Sequence, residues 1–159
     1  MTLDSSYPNN PKLLAPTAFK FVLNRELRHA MRANGCLSLV TIETTRDLGG
    51  TTVSADEQTV QEIAQVLNNE MRDRDLLGYT DAGTLSLVLR STDYQRSIRV
   101  VDRLMSKLEQ HTFQTPVQIA LGAACYPTHA MGAESLKRWA VSHPVASVLP
   151  EASSSTDQN

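Results

Sequence analysis

A tight turn between two short apolar segments constrains the fold more than any other feature of this sequence. Residues 76–80 and 85–90 are apolar and of strand length, and only Asp81-Ala82-Gly83-Thr84 separates them. Aspartate and glycine favour a tight turn, so we predict a β-hairpin here. Amphipathic helical patterns precede and follow this hairpin in the chain. The arrangement predicts a sheet that helices cover.

The remaining apolar patterns predict four helices and two further strands. The expected elements are a helix over residues 19–34, a strand over 37–42, a loop around Gly49-Gly50, a helix over 54–71, the hairpin, a helix over 98–108, a strand over 117–124 and a helix over 133–141. Ser54 and Glu57 form a capping-box pattern for the second helix. Met31, Met71 and Met105 follow the helix stripes, so we expect them in the core. The order predicts an α/β fold with a mixed, mainly antiparallel sheet and helices on both faces.

Length and composition indicate one globular domain. The chain has 159 residues, of which 41% are hydrophobic and 20% charged, a balance typical of a soluble fold. Residues 1–16 and 145–159 are rich in proline, serine and other polar residues, so we expect flexible tails around a domain over residues 17–144. Neither an apolar run of about 20 residues nor a signal-peptide pattern is found, which favours a cytoplasmic location. Cys36 and Cys125 are expected as reduced thiols.

The charge balance narrows the class of ligand. Fifteen basic and seventeen acidic residues give a formal charge of −2, which argues against general nucleic-acid or membrane binding. Eleven of the basic residues are arginine, whose planar guanidinium suits phosphates and guanine edges. The four histidines have no metal-ligand spacing, and no hydrolase, kinase or dehydrogenase motif occurs. We therefore expect no metal site and no cofactor.

Four stretches carry a resemblance to a known family. Residues 37–43 read Leu-Ser-Leu-Val-Thr-Ile-Glu, 72–79 read Arg-Asp-Arg-Asp-Leu-Leu-Gly-Tyr, 119–127 read Ile-Ala-Leu-Gly-Ala-Ala-Cys-Tyr-Pro, and 134–138 read Glu-Ser-Leu-Lys-Arg. In this order they resemble the first strand, the approach to the signature hairpin, a later strand and the last helix of the GGDEF domain family, the bacterial diguanylate cyclases and their inactive relatives. The resemblance covers residues 19–140 and implies the nucleotide-cyclase-like fold of that family.

The catalytic signature of that family is altered in this chain. Residues 81–85 read Asp-Ala-Gly-Thr-Leu where the family reads Gly-Gly-Asp/Glu-Glu-Phe. In active members, carboxylates on the hairpin and the first strand hold two divalent ions against GTP. The matching positions here are Thr41, Gly83 and Thr84. Glu43 alone cannot replace that set, and Asp81 adds negative charge where a phosphate would lie. The resemblance implies a degenerate domain that is not an enzyme and has no catalytic or metal-binding residues.

A product-binding feature of the family is retained in register. Active members often carry Arg-x-x-Asp five residues before the signature, an inhibitory site for cyclic di-GMP, and Arg72 and Asp75 occupy that position. A guanidinium can donate to guanine O6 and N7 or to phosphate, and a carboxylate can accept from guanine N–H groups. Arg103 matches a second product-binding arginine of the family, with Arg74 and Arg99 as supporting residues. The alternative is that these arginines are solvated and paired to Asp102 or Glu109.

The sequence leaves two main hypotheses about function. The preferred one is a cytoplasmic signalling receptor for cyclic di-GMP, for which the resemblance also implies a ligand-bridged homodimer. The other is a pseudoenzyme that binds an unidentified protein partner and no nucleotide. A GTP-sensing domain is a third possibility, against which the negative charge of Asp81 argues. Neither nucleic acid nor a membrane is an expected partner.

Overall fold

The computed structural model describes residues 6–7 and 10–149, which form four helices and eight strands. In chain order these are β1 (Ser6–Tyr7), β2 (Asn10–Leu14), α1 (Pro16–Arg32), β3 (Leu37–Leu48), β4 (Thr51–Ser54), α2 (Glu57–Asn68), β5 (Leu76–Asp81), β6 (Thr84–Arg90), α3 (Tyr94–Gln110), β7 (Gln118–Tyr126), α4 (Ala133–Ser142) and β8 (Pro144–Val148). The predicted hairpin is confirmed as β5 and β6. None of the helices in these residues is long and apolar enough to cross a membrane.

All of these strands belong to one mixed sheet. Its order is β1-β2-β5-β6-β3-β7-β8, and β4 pairs with β3 beside this path. Among the described strands, β2 and β5 are parallel and the other pairs are antiparallel. At the centre, Thr41 of β3 lies opposite Ser86 of β6 on one side and Gly122 of β7 on the other. The predicted mixed, mainly antiparallel sheet is therefore confirmed.

Helices cover both faces of the sheet because successive strand residues point to opposite sides. Val40 and Ile42 belong to the core on one face, together with apolar residues of α2 and α3. Leu39 and Val88 belong to the core on the other face, together with apolar residues of α1 and α4. This division confirms the α/β architecture and gives the domain an α2–α3 side and an α1–α4 side.

The ends of two helices differ from the predicted pattern. The N-cap of α2 is Asp56, whose carboxylate accepts a hydrogen bond from the backbone N–H of Thr59 at 2.8 Å. Hydrogen bonding from Thr59 lowers the pKa of Asp56. Ser54 is not the cap because it still belongs to β4, so the predicted capping box is wrong. Met31 is 44% exposed near the end of α1, so its predicted place in the core is also wrong.

Both segments that were expected to be flexible tails contribute strands to the sheet. In β2, Leu13 lies opposite Leu77 of β5 and is fully buried, and in β8, Val148 lies opposite Ile119 of β7. The tail prediction is therefore wrong for residues 10–14 and 145–148, because pairing with an existing strand supplies backbone hydrogen bonds that local sequence does not reveal. Residues 6–7, as β1, also pair with β2. Residues 1–5, 8–9 and 150–159 of the predicted tails lie outside the described residues.

The segment after the first predicted strand is also more regular than expected. β3 continues to Leu48, and Gly49 and Gly50 then turn the chain into β4 with positive φ angles of 61° and 90°. Glycine adopts such angles without strain. The predicted loop is thus a β-hairpin.

Candidate functional site

The turn between β5 and β6 is fixed against the end of β3. Gly83 has a φ of 71°, and its carbonyl oxygen accepts hydrogen bonds from the backbone N–H of Thr44 at 2.8 Å and from Thr44 Oγ1 at 2.6 Å. A Cβ at Gly83 would lie 2.8 Å from Cβ of Ser54. The turn that carries the family signature in similar sequences therefore has a defined position here.

Asp81, which begins this turn, forms an ion pair with α4. Its Oδ2 lies 3.3 Å from Lys137 Nζ, and the same ammonium lies 3.8 Å from Oε1 of Glu134. One lysine thus faces two carboxylates, so these three side chains together carry a net negative charge. A phosphate group would meet that charge rather than an open backbone cradle.

Hydroxyl groups occupy the sheet positions where the resemblance implies metal ligands in active members of the family. Thr41 is 1% exposed between Ser86 and Gly122, and Ser86 Oγ lies 3.1 Å from Thr80 Oγ1. Glu43 supplies a single carboxylate nearby on β3. Hard divalent cations in protein sites need several oxygen ligands, and carboxylates are the usual anionic ones. Over residues 6–7 and 10–149, no group of three or more His, Cys, Asp or Glu side chains could hold a metal ion. These residues do not fit a two-metal centre.

An open cleft of about 430 Å³ lies between α1, the hairpin and α4. Its walls combine apolar side chains, such as Phe19 and Leu39, with Lys20 and the Asp81–Lys137 pair. The cleft is large enough for a small ligand. Its charged rim mixes both signs, and this distinguishes it from a phosphate cradle built of backbone N–H groups.

Arg72 and Asp75 form a hydrogen-bonded ion pair in the loop between α2 and β5. Arg72 Nε and Nη2 donate to Oδ2 and Oδ1 of Asp75 at 3.4 and 3.3 Å, and the backbone N–H of Arg72 donates to Oδ2 at 3.1 Å. The Asp75 side chain is only 5% exposed, whereas that of Arg72 is 51% exposed. The carboxylate therefore belongs to the internal hydrogen bonding of the loop, and the guanidinium keeps a face toward solvent.

Arg103 reaches the same loop from α3. Its Nη2 donates to the carbonyl oxygen of Glu70 at 3.3 Å, and its Nε lies 3.5 Å from Oε1 of Glu70. Lys107, one turn further along α3, lies 4.0 Å from Oε2 of Glu70. The partner of Arg103 is thus Glu70, and not Asp102 or Glu109. We call Arg72, Asp75, Arg103 and Glu70 the α2–β5 cluster.

The other two predicted arginines stand apart from this cluster. Arg74 follows Arg72 in the loop, and Arg99 lies one helical turn before Arg103; both are exposed. Among the described residues, neither side chain has an ion-pair or hydrogen-bond partner. Of the five predicted residues, Arg72 and Asp75 contact each other, and Arg103 contacts the same loop at Glu70. The other two are exposed cations.

An aromatic stack on α4 was not predicted. The rings of His129 and His143 stack on Trp139 with centroids 3.9 and 4.0 Å away, and Tyr94 meets His129 edge-on at 4.6 Å. His129 Nδ1 accepts a hydrogen bond from the backbone N–H of Cys125 at 2.9 Å. Burial lowers the pKa of His129, and the neighbouring His143 lowers it further. The four-residue spacing of Trp139 and His143 at a helix end was the one local signal for this stack.

A central hairpin in a mixed sheet, with α1 and α4 on one face and α2 and α3 on the other, defines the class: the chain has the fold of GGDEF domains. No family model and no curated protein matches the sequence. Among solved structures, it is similar to the GGDEF domain of YfiN (TpbB) from Pseudomonas aeruginosa, with a TM-score of 0.65 and 22% identity over 82% of this chain and 86% of that one.

Two further similar structures carry ligands or partners in their crystals. The GGDEF domain of DgcB from Caulobacter crescentus, in complex with c-di-GMP, has a TM-score of 0.73 and 11% identity over 89% of this chain and 86% of that one. Diguanylate cyclase SiaD from Pseudomonas aeruginosa, in complex with its activator SiaC, has a TM-score of 0.69 and 18% identity over 86% of this chain and 55% of that one. At these identities the comparisons establish the shared fold.

Proposed function

We propose that this chain is a catalytically inactive GGDEF-fold domain that binds cyclic di-GMP at Arg72, Asp75 and Arg103, with Arg74 and Arg99 in support. The observation that carries the proposal is that Arg103 of α3 contacts, at Glu70, the same loop that holds the Arg72–Asp75 pair. The similar DgcB domain is in complex with c-di-GMP, which supports this ligand for a domain of the same fold.

The proposal that the domain is inactive rests on which side chains of the sheet could bind divalent cations. Diguanylate cyclase chemistry needs divalent cations to stabilise charge on the triphosphate as the new phosphodiester forms. Thr41 is a buried hydroxyl and Glu43 is the one nearby carboxylate of the strand. Asp81 and Glu134 add negative charge beside Lys137. We therefore expect no cyclic di-GMP synthesis from GTP.

The α2–β5 cluster can recognise a guanine dinucleotide through its guanidinium groups. Arg72 is half exposed, so it can turn its N–H donors from Asp75 toward guanine O6 and N7 or a phosphate oxygen. Only the Arg72 end of this ion pair is exposed, so water can solvate the guanidinium when it turns away from the largely buried carboxylate. Arg103 can leave Glu70 in the same way, since its side chain is 48% exposed. Asp75 then remains hydrogen-bonded to the backbone N–H of Arg72 and orients the loop.

Isothermal titration calorimetry with cyclic di-GMP tests the proposal. Wild-type protein should release or absorb heat at tens of micromolar ligand, and Arg72→Ala and Arg103→Ala should each weaken binding at least about tenfold, the loss of one charge-assisted contact. Arg138→Ala, which removes an exposed arginine of α4, should leave the affinity unchanged. Light scattering with and without ligand then tests the ligand-bridged homodimer. Absence of heat from the wild type would remove the proposal.

One observation favours a second candidate, a protein-interaction domain without a nucleotide ligand. Asp75 is buried and already accepts hydrogen bonds from Arg72, which is sufficient reason for an Arg-x-x-Asp pair to exist. The similar SiaD structure contains an activator protein. This candidate predicts no heat with cyclic di-GMP. A larger rise in melting temperature with GTP than with cyclic di-GMP would instead indicate GTP sensing.

A further inference from the structure

The exposed side of α1 is a local positive surface on a protein of net negative charge. Lys20, Arg25, Arg28 and Arg32 are all exposed on this helix. The one acid of α1, Glu26, is 7% exposed, and its Oε2 lies 3.0 Å from Nη2 of Arg90. The exposed side of α1 therefore presents four cations and no carboxylate, although the whole chain carries a formal charge of −2.

Four of the exposed residues follow a single line along the helix. Phe21, Arg25, Arg28 and Arg32 are separated by four, three and four positions, the spacing by which one helix faces another. Phe21 is 63% exposed, in contrast to Phe19, which is 1% exposed in the core. We call these four residues the α1 stripe; Met31, 44% exposed, lies beside its C-terminal end.

The stability of α1 does not account for the whole stripe. Arg32 in the last turn is favourable for the helix dipole, and Arg25 Nη2 lies 3.7 Å from Glu26. Arg28 lies in the middle of the helix and has no ion pair within the described chain. The core contacts of α1 come from Phe19, Leu23 and Leu27 on its opposite side. An exposed phenylalanine among arginines is instead typical of interaction surfaces, where aromatic residues and arginine are enriched.

We propose that the α1 stripe is a docking site for an acidic amphipathic helix of a partner protein. Carboxylates at spacings of three and four on that helix would accept paired hydrogen bonds from Arg25, Arg28 and Arg32, and one apolar side chain would cover Phe21. The stripe spans 11 residue steps, about 16 Å of helix axis, which matches about three turns of a partner helix.

The positive charge of the α1 stripe favours an acidic partner helix over a second copy of the same chain. A symmetric contact between two α1 stripes would place arginines against arginines, and like charges that meet across an interface cost several kcal/mol. The stripe lies on the α1–α4 side of the sheet, whereas the α2–β5 cluster lies at the α2–α3 side. The two proposals therefore involve different surfaces and can fail separately.

Fluorescence anisotropy on the full chain tests the docking site. The probe is a labelled helical peptide with one leucine and then three glutamates on the same face, at successive spacings of four, three and four. A peptide of equal composition in scrambled order is the comparison. We expect the patterned peptide to bind at low salt and to bind at least about tenfold more weakly after R25E/R28E. Phe21→Ser should weaken binding severalfold, and the matched control Arg138→Glu on α4 should leave it unchanged.

Each other outcome contradicts the proposal. Equal affinity for the scrambled peptide would indicate charge attraction without a helical register, and equal binding by R25E/R28E would place the site elsewhere. Absence of binding at millimolar peptide, or binding only to vesicles that contain phosphatidylserine, would also overturn it. Circular dichroism of R25E/R28E checks that the fold is retained, which we expect because both side chains are exposed.

Discussion

Asp75 should contribute more to folding than Arg72, although both residues belong to the proposed ligand site. Asp75→Ala removes the acceptor of the Arg72 backbone N–H and of the Arg72 guanidinium in one step. Arg72→Ala removes only the guanidinium and leaves the hydrogen bond between backbone and carboxylate in place. The two variants therefore separate the structural role of the pair from its role in ligand binding.

The expected magnitudes follow from exposure. A hydrogen bond between a backbone N–H and a largely buried charged group contributes about 1.5–3 kcal/mol, and Asp75 is 7% exposed. The ion pair to a half-exposed arginine adds about 0–1 kcal/mol. Asp75→Ala should thus lower the free energy of unfolding by about 1.5–4 kcal/mol and Arg72→Ala by about 1 kcal/mol at most. For a domain of this size, 1 kcal/mol corresponds to about 2–4 °C in melting temperature.

Urea unfolding and thermal melting, both followed by circular dichroism, measure these differences. Asp73→Ala is the matched control, because Asp73 lies in the same loop and is exposed, so its loss should change stability by no more than about 0.5 kcal/mol. Asp75→Asn keeps an acceptor oxygen and should recover part of the loss. Equal destabilisation by Arg72→Ala and Asp75→Ala would refute the reasoning, as would a control as damaging as Asp75→Ala.

Two further predictions concern α4 and the strand beneath it. Gly122→Ala would place a Cβ against the carbonyl group of Ala140, 2.8 Å from the carbonyl carbon. It should therefore lower the free energy of unfolding in urea by about 1–3 kcal/mol. The control is Gly35→Ala, whose Cβ would lie 3.9 Å from its nearest neighbour and should leave stability unchanged; equal effects of the two variants would contradict this account. Protonation of His129 should lower the stability of the fold in mild acid. Its folded-state pKa lies below the unfolded value of 6.5, so the unfolded chain binds the proton first and stability falls as pH drops from 6.5 through the folded-state pKa. His129→Asn keeps an acceptor for Cys125 but cannot titrate, so melting temperatures at pH 7.5 and 5.5 should differ less than in the wild type.

Local signals explain why the helices and the central hairpin could be predicted from the sequence. The turn residues Asp81 and Gly83 and the apolar spacings of α1 to α4 specify structure within a few residues of themselves. β2 and β8 carry no such signal: they are short, each contains a proline, and they become strands because β5 and β7 offer unpaired backbone groups. Their formation depends on tertiary contacts that local sequence does not encode.

The candidate site likewise contains some contacts that the sequence predicts and others that depend on tertiary packing. Arg72 and Asp75 are three positions apart, so their contact follows from one turn of chain, and the register of the resembled family located Arg103. The choice of Glu70 as partner of Arg103 depends on how α3 packs beside the end of α2, which no sequence spacing shows. The stack of His129 on Trp139 is likewise a contact between the segment after β7 and the middle of α4.

The hydroxyls on the sheet fit a domain that folds without metal ions. Thr41 is 1% exposed and Ser86 is fully buried, and an ionised carboxylate at such a position is costly unless a cation or several hydrogen bonds compensate it. In a domain that binds metal ions, the ion compensates the charge of such a carboxylate. In a domain that does not, a threonine or serine avoids the cost of a buried charge, and its hydroxyl can still form a hydrogen bond, as that of Ser86 does with Thr80. Under the proposed function, these residues maintain the fold that places Arg72 and Arg103 at the loop between α2 and β5, without the carboxylates that metal-dependent chemistry would need.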